Sequence, residues 1–329
     1  MFGLFKNIFL ISACAVVYGF FPPQAFARVP ATDQEWNHLA KGVILEVNQG
    51  RPAAKVLFRL LPQMQEILKM DSQRTYMKAL WGTSLNRDEF TRSEIVDPKI
   101  IAMLSQEVGA PSPDGDRVFA GIEHTYGYLF STLETKFGHK RLRWIQGALE
   151  SGFDLPTGIL GPFPAEGTLF GNVTYFLGRI AFRGDERIAS QLSLLTEGIA
   201  KSVVQYSYES LETVRVLEEV HLEDSRQVRL RTDLVPFLRS SKTGGSTHLL
   251  VYSIEDSRNP LPQLISGFPV DDEMVESLVK AQMGENVSIT SRYNGVVPGL
   301  SGKKVDGKRT LISNPQSRLR KIEDVRFGE

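Results

Sequence analysis

The chain has 329 residues, with 38 Lys plus Arg against 38 Asp plus Glu, so no net field steers it toward nucleic acid or an anionic membrane. Partners have to be selected by local patches. An apolar fraction of 42% and a charged fraction of 23% exclude a disordered or collagen-like polymer, and the single cysteine excludes a disulfide framework.

The N-terminus reads as a secretory leader. Lys6 precedes an apolar run from Ile8 to Phe21, which Pro22 and Pro23 end, and Ala25-Phe26-Ala27 supplies small residues for a cleavage pocket. The run is shorter than the roughly 20 residues a spanning helix needs. Cleavage after Ala27 starts the mature chain at Arg28 and leaves no transmembrane segment. It also removes Cys14, the only cysteine, so the exported chain suits a bacterial periplasm or outer surface. The alternative is a lipoprotein acylated at Cys14, since Ile11-Ser12-Ala13-Cys14 has the shape of a lipobox.

Residues 28–109 read as a helical unit. Trp36, Leu39, Ala40, Val43, Ile44 and Val47 recur at helical spacing after a cap at Thr32 or Asp33, and Gly50 ends the helix. A second helix carries Val56, Leu57, Leu60 and Leu61 up to Pro62, and a third opens at Asp97-Pro98 and closes at Gly109. The prolines, glycine and aspartates of residues 110–116, "APSPDGD", mark an exposed linker.

Residues 117–300 read as an α+β body, giving an α+β fold overall: a helical N-terminal unit, then a largely antiparallel sheet with packed helices. Residues 118–133, rich in Tyr, Phe and Thr, are expected to be strand. Residues 152–167 hold three prolines and four glycines among apolar residues and are expected to wall a cleft. Helices follow near 169–182 and over 185–206. A hairpin turns at Asp224-Ser225, with Glu218, Glu219 and Glu223 able to pair with Arg229 and Arg231. Two further strands, a helix from Asp271 or Asp272 and a last strand complete the body. Residues 301–329, with eight basic against four acidic side chains, read as a loosely ordered tail.

Candidate chemistry is sparse. Glu123 and His124 set an acid beside a base, but on a strand they face opposite ways and in a helix they stand about 100° apart. His124 is then a candidate base from an aromatic face, with Glu123 or Asp154 brought near by the fold. His248, Arg292 and Tyr293 lie on expected strands and form a base, a cation and a phenol suited to metal-free phosphodiester hydrolysis. Lys140, Arg141 and Arg143 could hold a phosphate or an acidic glycan, and Phe153, Leu155, Ile159 and Phe163 a groove in the glycine-proline loop. No pair among the five histidines has metal-ligand spacing, and nucleophile-elbow and phosphate-loop motifs are missing, so no metal or cofactor is expected.

The leading reading is an exported envelope protein that binds or scaffolds an unknown envelope partner or ligand. The alternative is a metal-free hydrolase of phosphodiester or glycan bonds with a histidine base. N-terminal sequencing of protein recovered from cells is expected to begin at Arg28; an acylated Cys14 would make it a lipoprotein instead.

Overall fold

The computed structural model describes residues 28–238, 245–279, 284–290, 300 and 302–313. The expected leader, Arg292, Tyr293 and residues 314–329 lie outside the described residues. In chain order the elements are α1 (Asp33–Asn48), α2 (Ala53–Leu60), α3 (Gln63–Ser72), α4 (Thr75–Ala79), β1 (Thr83–Leu85), α5 (Pro98–Val108), β2 (Arg117–Phe119) and α6 (Ala120–Ile122). A π-helical turn, Glu123–Gly127, follows. Next come β3 (Glu134–Thr135), β4 (Gly138–His139), α7 (Leu142–Ile145), α8 (Ala148–Gly152), α9 (Leu169–Ala181), α10 (Glu186–Leu194) and α11 (Lys201–Val204). The chain closes with β5 (Val214–His221), β6 (Gln227–Pro236), β7 (His248–Asp256), β8 (Asn259–Val270), α12 (Asp272–Val279), β9 (Gly284–Thr290) and β10 (Lys304–Ser313). The fold is α+β.

The helices start where the sequence puts caps. Thr32 and Glu35 form a reciprocal capping box on α1, and Asp97 accepts from the Lys99 amide at the start of α5. Trp36, Leu39, Ala40, Val43 and Val47 are the buried stripe of α1.

Strand order in the large sheet is β8-β7-β6-β5-β10-β9, antiparallel throughout. The hairpin turns at Ser225 in left-handed backbone. Arg229 pairs with Glu219 as the pattern implies, but Glu218 takes Arg309 of β10 and Arg231 takes Glu255 of β7. Residues 304–313, expected to be loose tail, complete this sheet instead, because Arg309 and Leu311 bury against β5.

The sheet separates two cores. Val216, Val220, Val228, Leu230, Leu250 and Ile254 pack under Val275, Leu278 and Val279 of α12. On the other face Val235, Leu249, Val251 and Leu264 join the helices in one cluster that starts at Trp36 and runs across the exposed 110–116 segment. Arg215 and Arg231 each donate to the Ala181 carbonyl at 2.9 Å, placing two cations at the C-terminus of α9.

Two local expectations are overturned. Residues 120–127 are helical, not strand: the segment is buried on every side, so alternation has no solvent face to serve, and Gly121 lets Trp81 and Phe170 approach to where a Cβ would sit. The expected helix over 185–206 breaks into α10 and α11, because Gly198 takes a left-handed φ of 68° and its carbonyl accepts from Arg74 at 2.6 Å.

Asp71, fully buried on α3, ties these layers. Tyr126 donates to it at 2.5 Å and Thr168, the N-cap of α9, at 2.7 Å. Burial raises its pKa to about 6, against the lowering pull of those hydrogen bonds and of Arg74 and Lys78. A carboxyl with a raised native pKa binds its proton more tightly folded than unfolded. Stability is therefore expected to fall as pH rises from about 4 to about 6, by up to ~3 kcal/mol from this group. Denaturant midpoints measured across that window should drop in the wild type and flatten in Asp71→Asn.

Candidate functional site

The backbone between α4 and β2 positions the site. Gly82 donates to the Leu264 carbonyl at 2.8 Å, Leu264 returns a bond to Leu80 at 2.7 Å, and Ala120 donates to Gly82 at 3.0 Å. This holds Leu80–Gly82 between the edge strand β8 and the start of α6; β1 follows at once, paired with β2, and Ser84 faces the π-helical turn. There the Tyr128 amide reaches back five residues to the Glu123 carbonyl, and the Trp144 indole donates to the His124 carbonyl at 2.7 Å. Such widened turns recur at functional sites because they redirect side chains within a helix.

The consequence corrects the sequence-based geometry. Glu123 and His124 do not diverge: His124 Nε2 lies 3.2 Å from Glu123 Oε2, and the Ser84 hydroxyl donates to the same oxygen. Glu123 is 0% and His124 7% exposed. Two polar atoms of the dyad, Glu123 Oε1 and His124 Nδ1, are buried without a hydrogen-bond partner among the described residues. Nε2 is in ion-pair contact with the carboxylate, and Nδ1 faces the protein interior.

Around the dyad stand aromatic rings and cations. The His124 ring lies 5.0 Å from that of Tyr128, whose phenol burial pushes far up, with the Glu123 charge adding to it. The Arg143 guanidinium is 5.2 Å from the Tyr128 ring, 5.3 Å from Phe268 and 5.6 Å from Trp144, and contacts Ser266 of β8 at 3.4 Å. Burial lowers its pKa, with Tyr128 and Glu123 opposing. Lys140 is half-buried; burial and then Arg143 lower its pKa, while Asp88 and Glu123 pull it back. Ser84 and Ser266 were not legible as site residues, since each is brought in by tertiary packing alone, whereas Tyr128 belongs to the aromatic face expected beside His124.

The other expected residues disperse. Arg141 is fully buried: it bonds Asp33 at 2.7 Å and the carbonyls of Leu129 and Ser131, so it fastens the β3–β4 hairpin to α1 and is closed to ligands. His139 joins it on Asp33 at 2.8 Å. Phe153, Leu155 and Ile159 are buried in the helical core, with Phe153 edge-on to Phe176 at 5.3 Å and Phe237 at 5.2 Å. Phe163 is half-buried, stacked on Trp36 at 6.4 Å. Residues 152–167 thus plug the core and do not line an open groove. Asp154 stands beside Tyr206, not in the dyad's hydrogen bonds. His248 sits at the start of β7 with its Nδ1 2.8 Å from Thr247, and burial lowers its pKa. Its two expected partners, Arg292 and Tyr293, lie outside the described residues.

A cleft of about 450 Å³ opens beside α10, lined by Arg187, Arg215, Arg229 and Arg231. Each of these arginines already pairs with a carboxylate: Asp185, Asp233, Glu219 with Glu255, and Glu255 respectively. Among the described residues no three His, Cys, Asp or Glu side chains converge to hold a metal ion. Comparison with protein-family models, with characterised proteins and with solved structures finds no match.

Breaking the buried Asp33–Arg141 link is expected to cost far more than removing its half-buried neighbour. Arg141→Ala should lose about 3–5 kcal/mol of unfolding free energy, and Lys140→Ala under about 1 kcal/mol, in urea titrations.

Proposed function

We propose that the chain is an exported envelope protein whose working centre is the Glu123–His124 dyad, a general base for hydrolysis of a phosphodiester. The observation that supports this most is the pairing itself. A buried carboxylate, anchored by Ser84, lies 3.2 Å from the imidazole Nε2 and favours its protonated form during the reaction. Once neighbouring side chains move aside, the His124 imidazole takes a proton from water as the water oxygen attacks phosphorus. Lys140 and Arg143 offset the charge gathering on the phosphoryl oxygens, and the imidazolium returns its proton to the departing alkoxide. All the groups used belong to the chain.

Cleavage of a glycan bond fits less well, because it needs two working carboxylates. Asp88, a second carboxylate on this side, is spent inside its own turn, accepting from the Phe90 and Thr91 amides and the Thr91 hydroxyl. Burial supports a second reading, binding without turnover: with His124 only 7% exposed, the dyad opens to a substrate only if neighbouring side chains move.

The two readings separate on a chromogenic diester. The mature chain is expected to hydrolyse bis(p-nitrophenyl) phosphate, and His124→Gln to lose about a hundredfold or more of that rate with an unchanged thermal midpoint. A wild-type chain with no turnover, or a His124→Gln variant as fast as wild type, would leave the binding reading standing alone.

A further inference from the structure

The large exposed apolar side chains among the described residues are mostly scattered aliphatics and methionines, and the two aromatic ones stand together. Phe90 is 61% and Phe137 74% exposed. They come from loops 47 positions apart in sequence, yet one ammonium touches both rings: Lys136 Nζ lies 4.0 Å from the Phe90 centroid and 4.8 Å from that of Phe137. Exposed phenyl rings are costly to hold in water, and collapse onto the surface would hide them.

Both loops are built to prevent that collapse. Asp88 accepts from the Phe90 amide at 3.2 Å and the Thr91 amide at 2.9 Å, and the backbone closes with Asp88 to Ser93 at 2.8 Å and Arg92 to Asp88 at 3.0 Å. On the hairpin, Thr135 accepts from the Phe137 amide at 3.2 Å and donates to the Gly138 carbonyl at 2.8 Å. The rings are thus presented by hydrogen-bonded turns.

We propose that Phe90, Phe137 and Lys136 form an interfacial anchor that seats this protein on a phospholipid bilayer surface. The chemistry matches that occupant in two parts. The rings suit the boundary between headgroups and acyl chains, and an ammonium held at ring level meets the phosphate layer just above it. The charge offered to the lipid phosphates is that of Lys136 itself, because Lys140 further in already lies among the carboxylates of Asp88, Glu123 and Glu89. No helix among the described residues is long and apolar enough to span a membrane, so the attachment described is to one face. The anchor does not depend on the dyad's chemistry.

Flotation of the mature chain with vesicles of phosphatidylglycerol and phosphatidylethanolamine tests the anchor, with inorganic phosphate as competitor. Wild type is expected to float with the vesicles and to stay bound in phosphate. Phe90→Ser and Phe137→Ser should each weaken partitioning roughly tenfold, the double variant more, with thermal midpoints unchanged. Lys136→Glu should weaken binding to these anionic vesicles more than to phosphatidylcholine. Wild type that stays in solution, or a double variant that floats as well as wild type, overturns the proposal. His124→Gln is expected to float normally, so loss of the hydrolase reading and loss of the anchor are told apart.

Discussion

Everything at the candidate site hangs on the exchange of backbone hydrogen bonds between Leu80–Gly82 and Leu264. An edge strand exposes a row of unpaired donors and acceptors, and β8 satisfies part of its row by capturing the chain as it leaves the helices. Trp81, caught at the crossing, is buried, donates to Thr174 of α9 at 2.8 Å and lies against Gly121. One short segment therefore touches the sheet, the central helix and the start of α6. The helices and the sheet share a hydrophobic core to which this crossing adds Trp81, and β1 is delivered to the dyad by the same crossing.

The dyad then follows from local geometry under tertiary constraint. Aromatic and β-branched residues between 118 and 130 favour strand when taken singly, but a buried strand would have needed a partner strand on each backbone edge. The chain instead coils, and Thr125 returns its hydroxyl to the Gly121 carbonyl at 2.6 Å. The widened turn that results swings Glu123 and His124 toward one another. Ion pairing around them divides by depth. Arg141 and Arg215 are buried against carboxylates and carbonyls and serve packing. Lys140 and Arg143 carry no carboxylate hydrogen bond among those described; Arg143 lies among the rings of Tyr128, Trp144 and Phe268, and Lys140 among the charges of Asp88, Glu123 and Glu89.

The buried polar groups make this body sensitive to protonation at a second place. Asp71 binds α3 to the π-helical turn through Tyr126 and to α9 through Thr168, with no hydrogen bond in common with the dyad. Burial raises the pKa of its carboxyl and outweighs the two hydroxyl donors and Arg74 at 3.4 Å, all of which favour the charge.

Composition, helix caps and period were enough to determine the α+β class, α1, α2, α5, the β5–β6 hairpin and the Glu219–Arg229 pair, because those signals act over a few residues and meet no competing demand. Tertiary structure alone decided the rest. It turned 120–127 from strand to helix, since burial on all sides removes the solvent face that alternation needs. It broke the 185–206 helix at Gly198, where Arg74 claims a carbonyl from across the fold. It drew the 152–167 loop into the core, because Phe153 found three aromatic neighbours there. And it brought Ser84 from 39 positions away onto Glu123: the sequence shows that an acid and a base are adjacent, but only a folded chain fixes where their side chains point.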